Sequence, residues 1–270
     1  MPLPTEDLAS AIRSDVVQMV HRARAAHVGS SLSVVDILAV LYGLVLRHRP
    51  TEPDWPERDR LILSKGHAAA AGYAVLARTG YFPVELLDTY CANGSPLAGH
   101  LTAGTGAPGV ELSTGSLGHG LPVGAGMALH AKRSGAARRT FVVISDGECD
   151  EGTTWEAALF AAHHQLANLC VIVDYNGIQS FGRVEEVLGL EPLADKWNAF
   201  GWDVHEVSGH DHRALLTILG VGDSSRPRAV IAHTIKGKGV SFMEDQLLWH
   251  YRSPDDEQLA HALEELRKQT

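Results

Sequence analysis

Apolar positions along the chain change between a helical period and short continuous runs. In residues 7–24, Leu8, Ile12, Val16, Met19, Val20 and Ala23 recur at helical spacing, which predicts an amphipathic first helix. After a break at residues 26–30, a second helix is predicted with Ser33 as its N-cap, Asp36 three positions on, and Leu32 and Ile37 as a hydrophobic staple. It runs through Leu38, Leu41, Leu44 and Val45 and stops before Pro50, leaving His27 in the turn between the two helices. Residues 51–60 read as a polar surface loop. Leu61-Ile62-Leu63 reads as a buried strand, and residues 64–67 open an alanine-rich helix at 68–78 with His67 at the turn. A helical stretch at 84–90 precedes a Gly/Pro/Ser/Thr-rich region at 93–120, a length that is usually functional inside a compact domain. A small-residue helix at 121–132 follows.

Residues 141–179 give the clearest pattern. Apolar runs at 141–144 and 169–173 bracket a helix whose start is marked by Thr153 and Glu156 as a capping box. Two parallel strands joined by one crossover helix end side by side at the same sheet edge. Beyond them the pattern predicts a helix at 192–200, a strand at 202–207, a short helix at 214–219 and a strand at 229–235. A loop then runs from Lys236-Gly237-Lys238-Gly239 to His250. The last helix has Ser253 as cap, Pro254 at its first position, and Arg267 and Lys268 in its last turn. With no internal repeat or low-complexity linker, this predicts one α/β domain over residues 1–270, a single doubly wound parallel sheet with helices on both faces.

A length of 270 residues with 45% hydrophobic side chains is enough for a substantial core. The net charge of −9 argues against general binding of nucleic acid or an anionic membrane, which needs a basic surface. No apolar run reaches membrane-spanning length, and the acidic start lacks a signal-peptide core. The three cysteines, Cys91, Cys149 and Cys170, match neither a disulfide framework nor a zinc site, so a cytoplasmic location is expected.

Asp146 follows the first central strand and Asn176 the second, so a carboxylate and an amide oxygen meet where open α/β sheets bind ligands. Both are hard donors that suit Mg²⁺ or Ca²⁺, and Gly147 allows close backbone approach, although Asp-Gly and Asn-Gly are also ordinary turn dipeptides. The glycines at 115–120 can cradle a phosphate. Val123 stands where a dinucleotide fingerprint needs its third glycine, and no Walker A motif is present. His27, His67, His100 and His250 all fall in predicted loops or turns and can form a cluster able to bind hydroxyls or shuttle protons. His163, His164, His210 and His212 are expected at the surface, Glu148 and Asp150 in a solvated acidic loop, and Cys149 too electronegatively surrounded to act as a nucleophile.

The segment 141–179 resembles the thiamine diphosphate motif, an Asp-Gly after a strand with an Asn nearly thirty residues on. Its surrounding residues, Asp146-Gly147-Glu148, Glu151-Gly152 and Trp155-Glu156-Ala157, resemble transketolase. Further motifs follow the same order: His27 to Ser33, Leu63-Ser64-Lys65-Gly66-His67-Ala68, Gly99-His100, Ser113 to Gly118, and Thr234 to Gly239 leading to Trp249-His250. The resemblance implies that Asp146, Asn176 and the Ile178 carbonyl bind the ion, and that the backbone at Gly115 and Leu117, together with His67, Gly147 and His250, meets the cofactor. By the same implication His27, His67, His100 and His250 are catalytic, and Glu151 lies at a subunit contact near the cofactor. It also implies transfer of a two-carbon glycolaldehyde unit from a ketose or ketose phosphate donor to an aldose. The family's pyrimidine-binding domain, with the glutamate that acts on the aminopyrimidine, is absent from this sequence. The expectation is therefore an N-terminal subunit of a split transketolase, active with a C-terminal partner in an α2β2 assembly. Three departures from the family pattern, Ser145, His119 and Tyr251, bear on substrate geometry. They leave open a non-sugar or carrier-protein acceptor, and a non-catalytic partner-binding module stays open as a separate reading.

Overall fold

The computed structural model describes residues 4–220 and 225–268. The first helix, α1 (Thr5–Ala23), leads through a turn into α2 (Val28–Ser33), α3 (Val35–Val40) and a π turn (Leu41–Val45) that leaves Leu44 exposed. Strand β1 (Arg60–Leu63), α4 (Ala69–Arg78), α5 (Gly120–Ser134) and β2 (Thr140–Ser145) follow. Next come α6 (Gly152–His163), β3 (Leu169–Tyr175), α7 (Val184–Val187), α8 (Leu193–Ala199) and β4 (Asp203–Ser208). The chain continues through α9 (His212–Gly220), β5 (Arg228–His233) and α10 (Asp256–Lys268).

Among the described residues, five strands form one sheet in the order β1-β2-β3-β5-β4, and every pairing is parallel. A parallel sheet is buried on both faces, so its strands are apolar throughout, and successive residues serve opposite cores. Leu61, Leu63, Phe141, Val143, Ile172 and Val230 pack with α1, α3, α4, α9 and α10. Ile62, Val142, Ile144, Val171, Val173 and Ile231 pack with α5, α6 and α8. This is the expected doubly wound α/β architecture. It brings the carboxyl ends of β1, β2, β3 and β5 to one edge.

Three expected caps are replaced by other contacts. The second helix starts at Val28, directly after His27 in a left-handed conformation with φ of 70°. Ser33 is then the last residue of α2, and its hydroxyl lies 2.6 Å from Asp174 Oδ2. Thr153 does not cap α6, because its hydroxyl donates to the Gly118 carbonyl at 2.8 Å. The last helix is capped by Asp255: its Oδ1 accepts from the Gln258 N–H at 2.9 Å, and Gln258 Oε1 accepts from the Asp255 N–H at 3.0 Å, a reciprocal box two residues beyond Ser253. β3 runs on through Asp174 and Tyr175, β5 stops at His233, and α7 lies in a stretch where the apolar pattern predicts no helix.

Helix α5 rests on the sheet at Gly124, where a Cβ would sit well inside the van der Waals contact distance from Val142 Cγ2, whereas a Cβ at Gly126 of the same helix meets open space. Gly124→Ala is therefore expected to lower the unfolding free energy by about 1–3 kcal/mol. Gly126→Ala is expected to raise it by about 0.5–1 kcal/mol, since alanine loses less backbone freedom in a helix. Urea denaturation of the two variants checks this; the same sign for both would contradict the packing.

Candidate active site

The strand ends frame a cleft of about 410 Å³. Its wall includes every residue that the family resemblance assigns to the site: His27, His67, His100, Gly115, Leu117, Asp146, Gly147, Glu151, Asn176, Ile178 and His250. His67 comes from a 3₁₀ turn (Gly66–Ala68) after β1, and His250 from another (Leu247–His250). The loop before α5 delivers His100, Gly115 and Leu117. Gly115 has φ of 143°, and a Cβ there would lie 2.8 Å from His100 Cδ2, so the loop closes against the histidine only with glycine at this place. The rings of His67, His100 and His250 lie 5.4, 5.7 and 4.8 Å from that of His27, centroid to centroid. The His27 N–H also donates to the His250 carbonyl at 2.9 Å, tying the first helix turn to the tail.

The ion-binding fit rests on Asp146. It is 2% exposed, and its oxygens accept from three backbone groups: Gly147 N at 2.7 Å, Asn176 N at 3.1 Å and Gly177 N at 2.8 Å. No cationic side chain is bonded to this carboxylate among the described residues, and burial, followed by the neighbouring charge of Asp174, pushes its pKa up. A buried anion held by neutral donors is a place that a cation completes. Asn176 Oδ1 accepts from the Ile178 N–H at 3.1 Å, and the Ile178 carbonyl accepts from Lys236 Nζ at 2.8 Å; each of these oxygens has a second lone pair. One carboxylate, one amide and one carbonyl oxygen are the donor chemistry of a hard divalent ion.

The model of the transketolase thiamine diphosphate binding domain matches residues 5–266. One of the subunits of the apulose-4-phosphate transketolase of Actinobacillus succinogenes is 45% identical over 264 residues, covering 97% of this chain and 95% of that protein. The 6-deoxy-6-sulfo-D-fructose transketolase subunit SqwG of Clostridium sp. is 41% identical over 263 residues, covering 97% and 95%. Transketolase from Campylobacter jejuni superposes with a TM-score of 0.92 at 31% identity, over 97% of this chain and 42% of that one.

The chain belongs to the transketolase family. It spans less than half of the solved transketolase chain and nearly all of the two relatives that are themselves single subunits. It therefore corresponds to the thiamine diphosphate binding portion of a transketolase, in the form of one subunit of a split transferase.

In this transketolase subunit the electrostatics of the cleft floor come partly from residues that sequence reasoning missed. Lys65 and Asp174, both fully buried, form an ion pair. Lys65 Nζ also donates to the Ser30 carbonyl at 3.0 Å, while the hydroxyls of Ser33 and Thr234 bond to Asp174. Lys236, 1% exposed, reaches the Ile178 carbonyl and lies 3.1 Å from His250 Nδ1; burial, then repulsion by Lys65, lowers its pKa to about 8. Burial, then His100, lowers His27 to about 4. Burial, then Lys236, lowers His250 to about 3, and burial with Lys65 puts His67 well below its ordinary value. These three imidazoles are neutral at pH 7. A lysine at the end of a strand is a sequence signal for such a floor, but its carboxylate partner is 109 positions away.

Two expectations about acids and histidines are overturned. Glu148 is not solvated: it is fully buried, bonded to the Ser64 hydroxyl, and accepts from the Gly118 N–H at 2.9 Å, so burial raises its pKa. Asp150 accepts from Gln179 Nε2 at 2.9 Å. His210 and His212 are not surface residues, because both bond to the buried Asp36. Glu151 is exposed at the cleft rim, and Cys149 is buried with its thiol pKa pushed up, as expected of a non-nucleophile. The hydroxyl of Ser145 accepts from the Glu148 N–H at 3.2 Å, so the tight place after β2 takes a side chain by using it as a turn cap. His119 is exposed, with Nδ1 3.1 Å from the Leu117 carbonyl, and the Tyr251 hydroxyl donates to the Ser180 carbonyl.

Removing one member of the floor ion pair strands the other charge. Asp174→Asn is expected to cost about 3–5 kcal/mol in denaturant unfolding, and the double change Lys65→Met/Asp174→Leu less than that. A double variant at least as unstable as the single one would contradict this. His27 supplies a pH test. Its folded pKa of about 4 lies below the ordinary 6.5, so between those values the unfolded chain binds a proton that the folded chain refuses. Stability therefore falls as pH drops from 6.5 towards 4. His27→Asn, which tolerates the left-handed backbone, is expected to flatten the dependence of the urea midpoint on pH in that window. An unchanged slope would show that His27 does not carry the effect.

Proposed function

We propose that residues 1–270 form a single diphosphate-binding domain that, only together with a C-terminal partner subunit, transfers a two-carbon glycolaldehyde unit from a ketose phosphate to an aldose, using thiamine diphosphate and Mg²⁺ (or Ca²⁺). The observation that carries this reading is the convergence of four histidines and the Asp146/Asn176 pair on one cleft. Asp146, Asn176 and the Ile178 carbonyl would hold the ion. The backbone at Gly115 and Leu117, with His67, Gly147 and His250, would hold the diphosphate end of the cofactor, and Lys236 would add a positive charge beneath it. When bound, the cofactor supplies the electron sink for breaking the carbon–carbon bond next to the ketose carbonyl.

The chain's own residues then orient the sugar and move protons. A neutral imidazole has one donor and one acceptor nitrogen, which matches a hydroxyl, and it can take or give a proton without leaving charge on the cleft floor. His27, His67 and His250 are held neutral by burial, and with His100 they surround the space above the ion site. Glu151, exposed at the rim, is assigned to the contact with a partner polypeptide that carries the pyrimidine-binding domain and its glutamate, in an α2β2 assembly. Two relatives named for apulose 4-phosphate, 45% and 41% identical, support a ketose phosphate among the substrates. The cysteine pattern supports a cytoplasmic location, and no helix among the described residues is long and apolar enough to cross a membrane.

Asp146→Ala is expected to weaken Mg²⁺-dependent binding of thiamine diphosphate by roughly a hundredfold, the scale of a charged contact of about 3 kcal/mol. Titration by fluorescence quenching, with and without Mg²⁺, measures it in the assembled complex. Affinity unchanged by the substitution would remove the ion site.

A further inference from the structure

The buried cluster around Asp36 lies outside the cleft. Asp36, 4% exposed in α3, is bonded to Arg13 of α1, to His210 Nδ1 at 2.6 Å and to His212 Nε2 at 2.9 Å. Two of these partners also hold one short segment of backbone. His210 Nε2 accepts from the Ile235 N–H at 2.9 Å, and Arg13 Nε donates to the Lys238 carbonyl at 3.2 Å. Because Nε2 is an acceptor, His210 is a neutral imidazole with its proton on Nδ1, directed at the Asp36 carboxylate. Between the two held groups is Lys236, whose ammonium reaches into the cleft floor at the Ile178 carbonyl and His250. The Gly237 N–H, donating to the Gly29 carbonyl at 2.9 Å, ties the same segment to α2.

We propose that Asp36 is a positioning residue for Lys236, acting through His210 on one side of it and Arg13 on the other. Asp36 fixes the His210 tautomer that accepts from Ile235, and it fixes the plane of the Arg13 guanidinium that meets Lys238. A lysine has four freely rotating side-chain bonds, so a defined ammonium position needs its backbone held on both sides. His212 shares the carboxylate but has no bond to residues 235–238, which separates positioning from stability within one cluster. The value of the arrangement for cofactor binding rests on the function proposed above; the hold on the backbone does not.

The test uses the full chain assembled with its partner polypeptide and two readouts: amide hydrogen exchange across residues 235–238, and affinity for thiamine diphosphate with Mg²⁺. His210→Asn keeps a donor for Asp36 and loses the acceptor for Ile235, and it is expected to speed exchange and weaken affinity about tenfold, as loss of an outer-shell partner does. His210→Gln restores an acceptor at the Nε2 position but has no donor for Asp36, and it is expected to recover only part of both. His212→Ala is expected to lower the melting temperature with both readouts unchanged. If His210→Asn does not fold, Arg13→Lys keeps a cation beside Asp36 while losing the bond to Lys238, and it is expected to give the same two changes. Unchanged exchange in these variants, or equal affinity losses in His212→Ala and His210→Asn, overturns the proposal. If the wild-type assembly takes up no cofactor, the functional reading fails, and the exchange rates still decide the positioning.

Discussion

The buried pair of Lys65 and Asp174 is the contact on which the site depends. Lys65 follows β1, Asp174 belongs to β3, and their hydrogen-bond partners come from α2 and from the chain after β5. Four segments of different sequence origin are thereby fixed at the carboxyl edge of the sheet, directly under the cleft. An ion pair without water repays its desolvation only when the remaining donors and acceptors are satisfied, which makes the geometry of this floor demanding. The surrounding hydroxyls and the Ser30 carbonyl meet that demand. One consequence is that Ser33 is used under the floor and not at a helix start. Another is that the histidines stand over a positively charged base that helps to keep them neutral.

Charge is distributed in two groups. Lys65 and Lys236 are paired with Asp174 and with the Ile178 carbonyl. Nearby, Asp146 presents a buried carboxylate that no cationic side chain among the described residues bonds, beside an amide and a carbonyl oxygen. A carboxylate, an amide and a carbonyl oxygen would suit a divalent ion, and the buried ammonium groups would favour an anionic group beside it. This is the polarity that a metal diphosphate requires, and it is set by burial, not by net charge: the whole chain carries −9.

Much of the fold was legible in the sequence because parallel strands are short apolar runs, and because strand ends carry the residues that face ligands. Asp146, Asn176, His67 and the loop from 93 to 120 could be found from such positions. What could not be read were contacts between distant segments. Nothing local distinguishes Asp174, the sixth residue of β3 and the first after its apolar run, from a strand-end turn residue, and its lysine partner lies 109 positions earlier. His210 and His212 sit in a polar stretch that looks solvated, and only the packing of α9 against α3 brings them to Asp36. The caps failed for a related reason. Ser33 and Thr153 have suitable side chains at plausible positions, but tertiary partners took their hydroxyls, while Asp255 and Gln258 formed the cap at the last helix.

The central claim is that this chain holds half of an active site: the ion, the diphosphate end and the sugar-facing histidines are its share, and the other half is on a separate polypeptide. The most direct measurement is transfer of an isotopically labelled two-carbon unit from a ketose phosphate to an aldose, with thiamine diphosphate and Mg²⁺ present. It should be made with this chain alone, with its co-expressed C-terminal partner alone, and with both together. The account predicts labelled product only from the mixture. Turnover by this chain alone would contradict it.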